Sequence, residues 1–331
     1  TSGPAAPPGG PPIPRLYGAP PLPPQGVFPT RPLPRRSFLA STSATAAALA
    51  FWPEGPLRAQ TPAPAPAVTS FEDVRAGVGI FKGRGGTIGT LVQPDALVVV
   101  DTQFADTAQA CLDGLRARSS RTIDLVVNTH HHGDHTGGNA VLRPAARRIV
   151  AHENSASFQR KVAEAQPSGP AQAYPDATFT VTWTEGVGKE TVALRHYGPA
   201  HTSGDAVVTF ERANLVHMGA LVFNRRHPFI DQAAGASIAN WIATLEQVAK
   251  DHGADTRYVF GHAGEGFDVV GGRADLLAMR DYLTALLEAA RAAITAGTPR
   301  DAFTQSRLPA AFAVYDPKTP PAQPNPRVGL S

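Results

Sequence analysis

Residues Thr122–Gly138 read TIDLVVNTHHHGDHTGG. The stretch from Thr122 to Asn128 is a short apolar run, the pattern of a strand covered on both faces. It delivers the chain directly into His130, His131, His132, Asp134 and His135. Such clustering has two readings, a metal site or a polar surface loop that happens to be rich in histidine. In an extended segment alternate side chains share a face, so His130 and His132 can reach one ion while His131 points elsewhere. Gly133 is expected to let the chain turn tightly, leaving Asp134 and His135 to face a second ion. Imidazole nitrogen and carboxylate oxygen at about 2.0–2.2 Å suit Zn²⁺.

Working outward, ALVVVD (Ala96 to Asp101) is another buried strand, and VRAGVGIFKGRGGTIGTLVQ predicts two strands around a glycine turn at Gly83 to Gly86. Helices are expected over 105–118, 153–165 and 272–296, and strands over 177–184, 190–196, 206–210 and 214–218. In SIANWIATLEQVAK, Ser237 is placed to cap a helix whose apolar stripe is Ile238, Trp241, Ile242, Leu245 and Val248. Strand blocks interleaved with helices predict two sheets covered by helices, a layered α/β or α+β domain. Two remote histidines stand at predicted strand ends, His201 in YGPAHTSGD and His262 in VFGHAGEG, where functional loops are expected. His152 and His196 read as ordinary hydrogen-bonded histidines, His131 and His252 as solvated ones. Cys111, the one cysteine, reads as a small buried apolar residue and excludes an intrachain disulfide.

His-x-His-x-Asp-His after a buried strand, then Gly-x-x-His-Thr-x-Gly-Asp and a late Gly-His, resembles the metallo-β-lactamase superfamily over roughly residues 70–295. The resemblance implies a four-layer αββα sandwich with its metal site at one edge, between the sheets. It implies His130, His132 and His201 as ligands of a first zinc and Asp134, His135 and His262 as ligands of a second. Asp101 matches a supporting, non-ligating aspartate, and Asp205 is expected to be structural. The glycine turn at Gly83 to Gly86 resembles a mobile flap, or is an ordinary turn. One position departs from the family pattern. In HMGALVFN, Ala220 stands where many members carry a bridging aspartate, and alanine cannot coordinate. His217 is expected to face away and not to replace it. Two zinc ions are expected, the second held more weakly; a one-metal site is the alternative.

The implied activity is hydrolysis by a metal-activated water, with Asp134 both binding an ion and handling the proton of the nucleophile. The expected substrate is a small molecule with a cyclic amide, a β-lactam first; lactones, esters or thioesters are the alternative. A different class is a metal-binding protein whose activity Ala220 has removed. Arg225 and Arg226 in FNRRHPF are candidates to grip a substrate carboxylate, or form a solvated turn.

The flanks differ from the body. Residues 1–34 are rich in proline, glycine and alanine and are expected to be disordered. Residues 35–66, with Arg35–Arg36 before Phe38–Leu39 and an alanine-rich stretch, resemble a twin-arginine export signal and linker, cleaved between Arg58 and Ala67. That apolar stretch is about a dozen residues, short of the roughly 20 of a membrane span. A periplasmic or exported protein with no stable membrane association after cleavage is therefore expected. The hydrolase domain is expected over 67–315 and a proline-rich tail over 316–331. Residues 1–59 carry +4, which leaves −1 of the +3 total for the rest, so nothing favours a nucleic-acid partner.

Overall fold

The apolar runs become the inner strands of the first sheet. In the computed structural model, which describes residues 68–166, 169, 171–306 and 310–315, this sheet has seven strands adjacent in chain order. They are β1 (Ser70–Arg75), β2 (Val78–Lys82), β3 (Ile88–Gln93), β4 (Ala96–Val100), β5 (Leu125–Asn128), β6 (Ile149–His152) and β7 (Ala177–Phe179). Strands β1 to β4 are antiparallel neighbours, and β4 to β7 run parallel. Parallel neighbours need crossovers, which α1 (Ala105–Arg118), the short turns α2 (Gly133–Thr136) and α3 (Asn139–Leu142), and α4 (Glu153–Ala165) supply. Strands β4, β5 and β6 are buried at every residue, as strands covered on both faces must be.

The second sheet runs β8 (Thr182–Val187), β9 (Glu190–Arg195), β10 (Val207–Phe210), β11 (Leu215–His217), β13 (Arg257–Val259), β15 (Val270–Gly271). Beside it, β12 (Phe223–Asn224) pairs in parallel with β14 (His262–Ala263). Helices α5 (Ile238–Asp251) and α6 (Arg273–Thr295) cover its outer face, and α7 (Arg300–Gln305) follows. Three apolar clusters define the layers. One lies between the sheets, around Ile80, Val98, Val127, Leu194, Val208 and Phe210. A second joins Phe81, Val99 and Val126 to Cys111, Leu112 and Leu115 of α1. The third joins Val216 and Tyr258 to Trp241, Leu245 and Leu283 of α5 and α6. This is the αββα order. Ser237 caps α5 through a bond from Asn240 N at 3.3 Å, and Trp241 donates Nε1–H to Leu221 O at 2.8 Å.

One expected strand, 177–184, is two strands in different sheets. The chain crosses at Thr180 and Val181: the Thr180 carbonyl accepts from His152 Nε2 (2.8 Å), and the Val181 carbonyl accepts from His196 N (2.9 Å), in register with the β8–β9 pairing. His152 and His196 stack on each other at 3.9 Å between centroids, and both are hydrogen-bonded. Burial pushes the Cys111 thiol up to about 12, so it is no nucleophile. Among the described residues no helix is long and apolar enough to cross a membrane. The expectations for 1–34, 35–66 and 316–331 lie outside the described residues, and Ala310–Tyr315, at the end of the expected domain, form a short 3-10 turn.

Candidate metal centre

The centre lies beyond the C-terminal ends of the parallel strands, the usual crevice of such sheets. Strand β4 delivers Asp101, and β5 delivers Thr129 to His135. The second sheet contributes His201, after β9, and His262, at the start of β14. Two trios form. His130, His132 and His201 offer donor atoms within 4.8 Å of one another, and so do Asp134, His135 and His262. In the first, His132 Nδ1 lies 3.0 Å from His130 Nε2 and 3.1 Å from His201 Nε2. In the second, His135 Nε2 lies 3.1 Å from His262 Nε2, and Asp134 Oδ2 is 3.3 Å from His262 Nε2.

Hydrogen bonding fixes which nitrogen of four of these imidazoles carries the proton. His201 Nδ1 faces Phe229 O at 2.8 Å, His132 Nε2 faces Asp231 Oδ2 at 2.8 Å, and His135 Nδ1 faces Asp101 Oδ2 at 2.7 Å. Carbonyls and carboxylates only accept, so each of these nitrogens is an N–H. The fourth case takes one step more. Thr129 Oγ1 gives its single proton to Asp101 Oδ2 at 2.8 Å, so at 3.1 Å from His130 Nδ1 it must accept. The inward nitrogens, His130 Nε2, His132 Nδ1, His201 Nε2 and His135 Nε2, are then lone pairs aimed at one another. Lone pairs that converge in a buried space repel unless a cation lies among them. This donor set and its tautomers fit zinc or a similar transition-metal ion.

The charge states of His130, His201 and His262 agree with neutral, ligand-type imidazoles, and His135 is the exception. Burial, reinforced by the neighbouring imidazoles, holds His130 and His201 well below the ordinary histidine value. Burial also brings His262 down to about 3. Burial pulls His135 down too, but the carboxylates of Asp134 and Asp101 outweigh it and its pKa is raised.

Asp101 organises this arrangement. It is fully buried, and its Oδ1 accepts Thr129 N at 2.7 Å while Oδ2 takes Thr129 Oγ1 and His135. Its φ of 64° lies in the left-handed region, a strain that aspartate tolerates better than most residues. Bonds from Asp101 N to Val127 O and from Thr102 N to His135 O, both 2.7 Å, hold it there. Asp205 accepts from Thr202 N (2.7 Å) and Thr202 Oγ1 (2.9 Å), which shapes the loop after His201; burial raises its pKa to about 7.

Several local expectations change. Gly133 is not a left-handed turn residue. It opens the helical turn α2 with His132 at the N-cap, and a Cβ there would meet nothing within 4 Å. The glycine loop is docked, with Gly86 N on Asp134 O (3.0 Å) and Thr87 N on Gly261 O (2.9 Å). A Cβ on Gly86 would sit 2.2 Å from His135 Cε1, so glycine is required by that approach. His131 is not solvated; it is 6% exposed, packed on Phe158, with Nε2 3.4 Å from Asp231 Oδ2. His252 is half-buried and bonds Val248 O at 2.9 Å. His217 faces away from the trios, donating Nε2–H to Thr87 O and accepting from Gly219 N, both at 3.1 Å. Ala220 is 2% exposed, within the cluster that holds Trp241 and Phe223. Arg225 turns to Asn224 Oδ1 (3.2 Å) and Asp275 (3.8 Å), while Arg226 is exposed and its charge helps depress His262.

Sequence reasoning missed Asp231 and the Phe229 carbonyl. They hold the outer nitrogens of two ligand-type histidines from 99 and 28 residues away. No local pattern marks either; only an HPFID loop between a strand and a helix hints at a site wall.

The fold and the two trios define a hydrolytic metalloenzyme class with a two-sheet α/β scaffold. The chain belongs to the metallo-beta-lactamase superfamily, whose model matches residues 83–262, more than half of the 331. It is 27% identical over 215 residues to the metallo-beta-lactamase type 2 of Bacillus cereus, covering 63% of this chain and 78% of that protein. The type 2 enzyme of Bacillus sp. (strain 170) is 24% identical over 198 residues, 58% of this chain and 73% of the other. A solved metallo-beta-lactamase from Pontibacter korlensis shares the fold with a TM-score of 0.55 at 18% identity, covering 66% of this chain and 99% of that one.

Proposed function

We propose that the protein is an exported zinc hydrolase that opens a cyclic amide, a β-lactam in the first instance. The observation that carries the metal reading is the set of four tautomers, each fixed from outside so that its lone pair faces inward. His130, His132 and His201 would hold one ion, and Asp134, His135 and His262 the other. Bound zinc supplies Lewis acidity and a water whose pKa falls to about 7. Asp134 is the one ligand-type side chain with substantial exposure, at 30%. Burial raises its pKa, but His135, His262 and His132 together bring it below the ordinary value, so the carboxylate is ionised and Oδ2 can accept a proton from attacking water. Aromatic faces line the trios. Phe223 stacks on His262 at 4.7 Å, and Phe229 lies 5.4 Å from His132. They exclude water from the ligand side of the site. Arg226, exposed beside His262, is placed for a substrate carboxylate better than Arg225, which Asn224 and Asp275 already engage.

The β-lactam reading is supported by the likeness to the Bacillus type 2 enzymes and by the export-like stretch at 35–66. Metal content is measured together with turnover of a chromogenic cephalosporin and a chromogenic lactone. Zinc with cephalosporin turnover is the expected result. Lactone turnover alone replaces the substrate class, and zinc with neither activity makes this a metal-binding protein without turnover.

A further inference from the structure

Loop residues Phe229 to Asp231 grip the first trio from outside, one by a carbonyl and one by a carboxylate. Asp231 is itself held on both sides. Its Oδ1 accepts from Ala234 N at 3.0 Å, and its Oδ2 lies between His132 Nε2 (2.8 Å) and His131 Nε2 (3.4 Å). His131 has a fixed ring. It packs on Phe158 at 5.1 Å and on the His132 ring at 4.4 Å, and it is 6% exposed. Its Nδ1 is buried without a hydrogen-bond partner. A carboxylate only accepts, so the His131 proton sits on Nε2, facing Asp231.

We propose that His131 is a positioning residue that acts through Asp231: its Nε2–H keeps Oδ2 on His132, and so keeps the His132 Nδ1 lone pair on the first metal position. Without that second donor Oδ2 is held by His132 alone, opposite the Ala234 N bond to Oδ1, and it sits less firmly on His132. The partner that fixes the His132 tautomer is then weakened. The residue between the two histidines of His-x-His is thus part of the support of the site, not a spacer. This inference rests on the metal reading above.

Two amides of different reach separate the role from simple packing. Gln at 131 can place an N–H near the position of Nε2, whereas Asn cannot reach Asp231. The full chain is freed of metal and titrated with Co²⁺ against a competing chelator, with visible absorption as the readout; Phe at 131 keeps the ring and removes the donor. His131→Phe and His131→Asn are expected to weaken first-position affinity on the order of tenfold. His131→Gln is expected to stay near wild type. Metal-free melting temperatures show whether each variant folds, and the Asn–Gln contrast stands if Phe does not. Wild-type affinity in His131→Asn, or equal loss in His131→Gln, overturns the proposal while leaving the metal reading intact. A wild-type chain that binds no Co²⁺ overturns both.

Discussion

Replacing Asp101 by asparagine changes one buried oxygen into an NH₂, and the consequence can be followed atom by atom. The side chain accepts three bonds, from Thr129 N, Thr129 Oγ1 and His135 Nδ1, at 2.7, 2.8 and 2.7 Å. Asparagine keeps its oxygen on Thr129 N, because the reverse orientation sets two donors against each other. The NH₂ then faces the Thr129 hydroxyl and His135. Thr129 Oγ1 can reorient and accept from the amide while still accepting from His130, so the first trio is preserved. His135 has no such escape. To avoid a donor–donor clash it must place its lone pair on Nδ1 and its proton on Nε2, the nitrogen that points at His262. Metal binding must reverse that tautomer, and the metal-bound variant lacks the bond to a carboxylate that the wild type keeps, a difference of about 1.5–3 kcal/mol. At 1.36 kcal/mol per decade this is roughly a tenfold to 150-fold loss at the second position. The first position is expected to lose less than about tenfold. Zinc competition with a chromophoric chelator resolves the two steps, and circular dichroism verifies folding. Equal weakening of both positions, or none, would refute the tautomer argument.

Gly86→Ala places a methyl 2.4 Å from His135 Nε2, so it is expected to displace that ring and remove the second ion while the first stays; metal stoichiometry decides. Burial disfavours the charge of His217 and brings it down to about 4, against about 6.5 for an ordinary imidazole. The unfolded chain therefore takes up the proton first as pH falls, and stability held above pH 6.5 is lost on the way down to pH 4, about 3 kcal/mol from this group. Denaturant unfolding of metal-free His217→Gln at pH 7 and pH 4.5 is expected to show a smaller acid loss than wild type; an equal loss would remove His217 as the cause. Chelation is expected to lower the melting temperature and added zinc to restore it, since an ion at 100 times its dissociation constant contributes about 2.7 kcal/mol. Absence of any shift would count against metal binding in the folded state.

The layered fold was legible because its inner strands are apolar at every position. A run such as ALVVV has no solvent face to hide, and helices of the right length separate such runs. What the pattern could not show is where the chain changes sheets. Thr180 and Val181 are ordinary strand residues, and the crossing is made by side-chain and backbone bonds from His152 and His196, which lie 28 and 15 residues away in sequence. Period and composition report the local surface of a strand, not the identity of its neighbour.

The same distinction separates the ligand-type histidines from their supports. His130, His132, Asp134 and His135 are close in sequence because one strand end presents them together, and spacing records that. Asp101 was legible because it ends a buried strand beside theirs. Asp231 was not, since a carboxylate in a polar loop has the same local appearance whether it faces solvent or an imidazole 99 residues away. His131 was misread for a related reason. Alternation correctly turned it away from the metal positions, but a side chain turned away from a site enters solvent only if nothing packs there. Here Phe158 and Asp231 do, so the residue that does not point at the metal positions is the one placed to brace a residue that does.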